Sequence, residues 1–284
     1  MPSSLDLNCY KQAIAELYDR RSSTYDAGAW RQRICDRLLH YSPVRVGQCV
    51  LDVGTGTGYL ATAAAKKVGV KGAVLGVDFS PAMLKKARRR AAADTLSNLQ
   101  FHLADAETLS YQSACFDHVL CANTFPWISH KAATLKSWYR LLKPGGRIAV
   151  HTPADTAYVG AVALRRVLAA YDIAVEPSNR LGSMEQCQTL FEAAGFRNIA
   201  IKQEQHGRYI SLEAACTAWQ SAIETPSVLS LKVSDDLSRL SPVQLEKLKL
   251  EFEADLAAQE TGQGIWDDLT TLYVRGQKPG GSQA

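Results

Sequence analysis

The chain contains no run of about 18 uninterrupted apolar residues, the length a membrane-spanning helix requires, so no span is expected. Its first residues, Met1-Pro2-Ser3-Ser4-Leu5-Asp6, show no basic region followed by an apolar one, and a secretory signal is not expected. The seven cysteines, Cys9, Cys35, Cys49, Cys115, Cys121, Cys187 and Cys216, include no C-x-x-C pair. An odd count without metal-ligand spacing points to reduced thiols in a cytoplasmic protein with no metal site, and leaves a thiol-based role such as metalloid binding as the minor alternative. Internal repeats and low-complexity tracts are also missing. Charge is nearly balanced, at a formal +4. The one dense basic run, Lys85-Lys86-Ala87-Arg88-Arg89-Arg90, is local, without the broad face and interleaved aromatics of a nucleic-acid surface, and reads as a solvated helix face.

What remains is an ordinary globular composition: 284 residues, 46% hydrophobic and 21% charged, enough for one large α/β domain with an appended cap, with two domains as the alternative. The most informative segment is Asp52-Val53-Gly54-Thr55-Gly56-Thr57-Gly58, directly after the strand-like Cys49-Val50-Leu51. An apolar strand followed by closely spaced glycines gives a tight turn whose backbone can approach a ligand, and the next helix, starting near Tyr59, points its N-terminal amides into that turn. The dinucleotide fingerprint G-x-G-x-x-G needs a third glycine at position 59, where Tyr59 stands. Asp52 would repel a pyrophosphate but attract a cofactor with a cationic amino group, such as S-adenosylmethionine. Asp78 ends a second strand-like run, Val74-Leu75-Gly76-Val77, and can accept two hydrogen bonds from ribose hydroxyls.

Strands are expected near 49–53, 73–77, 99–103, 116–121 and 146–151, alternating with helices that start near Tyr59, Ser80 and Ser129. Ser80 suits an N-cap because Pro81 then takes the first helical position. This alternation implies a parallel sheet covered on both faces. Residues 8–40 read as one or two helices, Ser183 and Gln186 as a capping box for a helix to Gly195, 198–205 as a sixth strand and 270–277 as the last. Ser241, Pro242 and Gln244 should cap a helix carrying the stripe Leu245, Leu248, Phe252 and Leu256.

With these motifs in order, the chain resembles the class I S-adenosylmethionine-dependent methyltransferases. Leu103-Ala104-Asp105-Ala106 looks like the family's segment after the third strand, Phe116-Asp117-His118-Val119-Leu120-Cys121 like its fourth strand, and Tyr139 to Arg147 like the junction before the fifth. The N-terminal segment Tyr18 to Asp26 is most similar to quinone-biosynthesis and small natural-product methyltransferases. The resemblance implies an α/β, doubly wound, mostly parallel seven-stranded sheet. It also implies a division into an N-terminal helical lid at 1–44, a cofactor-binding core at 45–206 and 267–278, a helical cap insertion over the strand ends at 207–266 and a flexible tail at 279–284. Base-amino methyltransferases resemble one another in an Asn/Asp-Pro-Pro-aromatic clamp after the fourth strand; Asn123-Thr124-Phe125-Pro126-Trp127 departs from it, which disfavours a nucleic-acid substrate.

For the cofactor, the resemblance places the methionine part near Asp52, Gly54, Thr55 and Gly56. It places ribose on Asp78 and adenine between Phe79 and Met83, with Asp105 and Ala106 at its edge and Asn123 nearby. Phe79 and Met83 are equally suited to helix-start core positions. Tyr18 and Tyr25, seven apart, share a helix face and either close over the cofactor or pack a core. Methyl transfer needs a base only if the acceptor arrives protonated. His151, at the end of the fifth strand, and His130, after the fourth-strand loop, are the candidates, with structural roles the alternative. Trp127, Tyr158, Tyr209 and Trp219 are candidates for an apolar acceptor pocket or for core packing. The expected activity is methyl transfer from S-adenosylmethionine to a small, apolar, ring-containing acceptor. An NAD- or nucleotide-sugar-dependent enzyme and a non-catalytic cofactor-binding partner subunit stay open, as does the oligomeric state.

Overall fold

The structure, a computed structural model, describes residues 5, 7–173, 182–224 and 240–280. Parts of the expected lid (1–4 and 6), core (174–181), cap (225–239) and tail (281–284) lie outside the described residues. The chain divides into two compact units, one of Met1–Thr152, Met184–Lys202 and Leu272–Ala284, the other of Pro153–Ser183 and Gln203–Thr271.

The first unit holds a seven-stranded sheet in the order β3-β2-β1-β4-β5-β9-β6. Its strands are β1 (Cys49–Val53), β2 (Ala73–Asp78), β3 (Leu99–Leu103), β4 (Phe116–Cys121), β5 (Leu142–Pro153), β6 (Arg197–Glu204) and β9 (Thr271–Gln277). The pairs β1–β2, β2–β3, β1–β4 and β4–β5 are parallel. Parallel neighbours need crossovers, and helices α3 (Tyr59–Val68), α4 (Pro81–Ala93) and α5 (Lys131–Leu141) supply them. Because helices cover the sheet, Val50, Leu51, Asp52 and Val53 are all buried, not alternating. The helices α1 (Cys9–Arg21) and α2 (Trp30–Tyr41) precede the sheet, and Ile34, Leu38 and Leu39 of α2 join Leu60 and Ala64 of α3 in one apolar cluster.

Local capping explains most boundaries. Ser80 Oγ accepts the Met83 N–H at 3.1 Å, fixing the start of α4. The helix expected near Ser129 starts at Lys131 instead. Its free amides are satisfied from a distance: Ser129 N and His130 N donate to the two carboxylate oxygens of Glu107 at 3.1 and 2.9 Å. Helix α7 (Met184–Ala193) leads into β6 as the sequence indicated.

The second unit is built on helices α6 (Val159–Ala169), α8 (Leu212–Trp219) and α9 (Pro242–Ala257). Helix α9 starts with a reciprocal capping box, the Gln244 N–H donating to Ser241 Oγ and the Ser241 N–H to Gln244 Oε1. Its Leu248, Phe252 and Leu256 are fully buried against Leu164 and Trp219. Two features were not anticipated. Helix α6 falls in a stretch read as part of the core, and residues 207–266 are not wholly helical. Strands β7 (Gly207–Ile210) and β8 (Ile265–Asp268) form an antiparallel ribbon with Tyr209 opposite Trp266.

Phe252→Ala should destabilise the second unit by about 3–5 kcal/mol, because the ring is fully buried and lies 5.7 Å from the Trp219 ring. Leu250→Ala on the exposed face should change stability by less than about 0.5 kcal/mol. Denaturant midpoints followed by far-UV circular dichroism check both values.

Candidate active site

The carboxyl ends of β1, β2 and β4 open into a cleft of about 620 Å³, whose walls include Tyr18, Tyr25, Gly54, Gly56, Asp78, Phe79, Asp105, Ala106, Asn123 and Trp127. A second lobe of about 470 Å³ shares Tyr25, Gly54, Gly56 and Asn123 and adds Arg31, Cys35, Asp52, Thr55 and Thr57. Ligands of open α/β sheets bind outside these strand ends.

The glycine turn is shaped for close approach. Gly54 has φ +67°, and a Cβ placed there would run into the Thr124 side chain. That hydroxyl donates to the Gly54 carbonyl at 3.2 Å, so the β4 loop closes against the turn. The Thr55 N–H donates to the Val77 carbonyl at 2.9 Å, tying the turn to β2. Asp78 is held by backbone amides, its Oδ2 accepting from Gly56 N and its Oδ1 from Ser80 N, both at 2.9 Å. A carboxylate has about four lone-pair sites, so this anchoring leaves Asp78 acceptor capacity for hydroxyls entering the cleft.

Two acids thereby lie near one another, Asp52 buried and Asp78 half-buried. Burial pushes the Asp52 carboxyl up to about 7, the negative charge of Asp78 adds to the rise, and the hydrogen bond from Thr55 Oγ1 at 2.7 Å opposes it. Burial likewise lifts Asp78 to about 6, against the amides of Ser80, Gly56 and Phe79. Cys35, in the second lobe, is kept a neutral thiol by burial and by Asp52.

The N-terminal segment is fastened beside the cleft. Asp19 Oδ1 accepts from Ser80 Oγ at 2.5 Å and from Ala82 N at 3.2 Å. Asp26 accepts from Thr57 Oγ1 and Arg90 Nη2, both at 2.7 Å, and Lys86 Nζ donates to the Ser23 carbonyl at 3.1 Å. The basic run on α4 is therefore only partly a solvated face: Lys85 and Arg89 are exposed, while Lys86 and Arg90 hold this segment. Tyr25 lies beyond the end of α1, yet its ring meets that of Tyr18 edge-on at 5.8 Å. Arg31 sits 4.2 Å from the centre of the Tyr25 ring and donates to the Tyr25 carbonyl at 3.0 Å.

At the other end of the cleft, Lys11 Nζ bridges Asp105 Oδ2 at 2.6 Å and Glu107 Oε1 at 3.2 Å. Lys11, Glu107 and Arg31 were not found by sequence reasoning, since no local motif links them to partners distant in the chain. Of the residues it did single out, Met83 is 1% exposed and is a core residue, not part of the cleft wall. His130 is exposed, and His151 is buried with its ring 5.2 Å from that of Tyr273; neither lines the described cleft. Trp127 does line it, with its ring 6.0 Å from Tyr18. Trp219 is 3% exposed and belongs to the core of the second unit, where Tyr158 and Tyr209 are exposed. Among the described residues, no cluster of three or more His, Cys, Asp or Glu side chains is placed to share a metal ion, and no helix is long and apolar enough to cross a membrane.

The acid pair sets a pH dependence of stability. A carboxyl raised on folding contributes stability that is complete below its unfolded value, 3.8, and lost as pH rises through its folded value, about 7 for Asp52. Between pH ~4.5 and ~7.5 the native chain should lose about 2–4 kcal/mol more stability than Asp52→Asn, which has no proton to lose. Thermal melts across that range check the difference in slope.

Comparison with known proteins bears on what this cleft serves. A family model described as a methyltransferase domain matches residues 45–213. Aklanonic acid methyltransferase DauC of Streptomyces sp. (strain C5) is 34% identical over 150 residues, covering 52% of this chain and 68% of that protein. The ubiquinone/menaquinone biosynthesis C-methyltransferase UbiE of Marinomonas sp. (strain MWYL1) is 33% identical over 49% of this chain, and the match spans 58% of its own length. Among solved structures, Haemonchus contortus phosphoethanolamine N-methyltransferase 2 has a TM-score of 0.60 at 18% identity, covering 96% of this chain and 61% of that one. The [4+2]-cyclase SpnF has a TM-score of 0.59 at 18% identity, covering 98% and 100%. At such identities the likeness is one of fold. The match over residues 45–213, together with the relation to DauC, makes this chain a member of the methyltransferase-domain family, of the class I S-adenosylmethionine-dependent kind.

Proposed function

We propose that this chain transfers a methyl group from S-adenosylmethionine to a small, apolar, ring-containing acceptor of the quinone or natural-product kind. The observation that carries the reading is Asp78: a cleft-lining carboxylate anchored by two backbone amides, beside a glycine turn that a single Cβ at Gly54 would obstruct. The residues suit the cofactor chemically. Asp78 would accept from ribose hydroxyls. Phe79, Ala106 and Asp105 would border the base, and Gly54, Thr55, Gly56, Asn123 and Asp52 the amino-acid part, with Arg31 supplying the positive charge a carboxylate needs. Tyr18 and Tyr25 would narrow the opening and exclude water.

Once bound, the cofactor supplies a methyl carbon on a positively charged sulfur, a good leaving group. The chain's share is then alignment and desolvation, which can supply much of the acceleration. The described cleft walls carry no histidine, and burial pushes the Tyr25 phenol up to about 12, with Asp78 adding to the rise and Arg31 opposing it. This favours an acceptor that is already nucleophilic at working pH, so His130 and His151 are not needed as bases. The names of the similar proteins, an aklanonic acid methyltransferase and a quinone C-methyltransferase, support the acceptor class.

Calorimetry should show saturable binding of S-adenosylhomocysteine and none of NAD. In Asp78→Ala the affinity should fall by at least about 3 kcal/mol, from two lost charge-assisted hydrogen bonds at roughly 1.5–3 kcal/mol each. NAD binding without S-adenosylhomocysteine binding would reinstate the nucleotide-dependent alternative.

A further inference from the structure

Lys11 is an unusual wall residue for a cleft that takes a cationic cofactor. Its side chain is only 12% exposed, and it bridges two acids that are 8% and 6% exposed. The two acids are not equivalent. Glu107 is satisfied without Lys11, because both of its oxygens already accept backbone amides, from Ser129 and His130. Asp105 has one other partner, the Glu107 N–H donating to its Oδ1 at 3.0 Å, so Lys11 at 2.6 Å on Oδ2 is what fixes the second oxygen. With Lys11 on Oδ2 and the Glu107 N–H on Oδ1, the Asp105 carboxylate is held in one orientation, with lone pairs to spare. Lys11 also belongs to α1, the helix that carries Tyr18, and Asn8 caps that helix through the Lys11 N–H.

We infer that Lys11 is the positioning residue of the base-binding end of the cleft: by bridging Asp105 and Glu107 it aims Asp105 at the exocyclic amino group of a bound purine and ties helix α1 to that recognition. The inference rests on the S-adenosylmethionine reading above and adds to it a selectivity determinant from outside the sheet. A carboxylate held in place accepts an amino N–H and has nothing to offer a base that lacks one. Removing Lys11 leaves Asp105 Oδ2 without its partner and free to turn, and discrimination is lost along with affinity.

The test compares S-adenosylhomocysteine with its analogue lacking the 6-amino group, in equilibrium binding and in dissociation rate, for the full chain and for Lys11→Met, Lys11→Gln and Lys11→Arg. The native chain should prefer S-adenosylhomocysteine about tenfold or more. Lys11→Met and Lys11→Gln should bind it about five- to thirtyfold more weakly, mainly through faster release, with the preference over the analogue reduced to within about threefold. Lys11→Arg, which preserves the charge, should keep both affinity and preference near native. In an Asp105→Asn background, Lys11→Met should have no further effect on affinity. If either neutral variant keeps the full preference while binding both ligands more weakly, Lys11 only supports the packing of α1 and the inference is overturned. Loss of the preference in Lys11→Arg, or additive effects with Asp105→Asn, overturns it equally, and the arginine variant decides the matter should the neutral ones not fold. Failure of the native chain to bind S-adenosylhomocysteine would instead refute the cofactor reading itself.

Discussion

Two carboxylates, the buried Asp52 and the half-buried Asp78, sit at the carboxyl ends of adjacent parallel strands, and the glycine turn and the start of α4 hold them there. Asp52 pairs in register with Gly76 and Val53 with Val77, so both acids reach the same end of the sheet. Gly76 carries no side chain because a Cβ would press on the Thr55 hydroxyl and the Phe101 ring, and it is that hydroxyl which hydrogen-bonds Asp52. The amides of Gly56 and Ser80, one from the turn after β1 and one from the start of α4, converge on Asp78. Burying acids is expensive unless they are hydrogen-bonded, and here part of the cost remains as raised proton affinity. A ligand presenting hydroxyls and a positive charge relieves it.

The helices ahead of the sheet extend this logic. Asp19, Asp26 and Lys11 each reach across to an element from later in the chain: the start of α4, its Arg90, and the loop after β3. Each link crosses more than sixty positions of sequence except the one from Thr57, so the segment's placement is set by side chains of the core and not by its own helix propensity. Resemblance of fold, however, stops short of chemistry. A cyclase and an N-methyltransferase match this chain about equally well in shape. What separates such proteins is the set of groups around the reacting atoms, which is why the absence of histidine from the described cleft walls weighs more than the overall likeness.

What could be read from the sequence was whatever is encoded locally. The strand, turn and helix around Gly54, the N-cap at Ser80 and the capping box at Ser241 each lie within a few residues, and the structure forms all three as read. Asp78 was legible because it ends a strand at a set distance from the glycines. Position on a strand does not fix which face a side chain takes, and His151 turns onto Tyr273 instead of into the cleft. Aromatic character does not separate pocket from core, so the sequence left Trp219 open between the two, and the structure packs it on Phe252. The ribbon of β7 and β8 escaped notice because its strands are four residues each and more than fifty positions apart. Lys11, Glu107 and Arg31 left no trace at all, since nothing in the sequence near them names a distant partner.

The central claim, that the cleft's two acids are held partly protonated until a cofactor binds, is tested most directly by the protons released on binding. Calorimetric titration of the native chain with S-adenosylhomocysteine, in two buffers of different ionisation heat from pH ~5 to ~8.5, counts them. A ligand that favours the ionised acids lowers their proton affinity, so release should be greatest below the folded values of about 6 and about 7 and vanish above them, and affinity should rise with pH up to those values and then level off. Binding that releases no protons there, with an affinity flat across the range, would contradict the account.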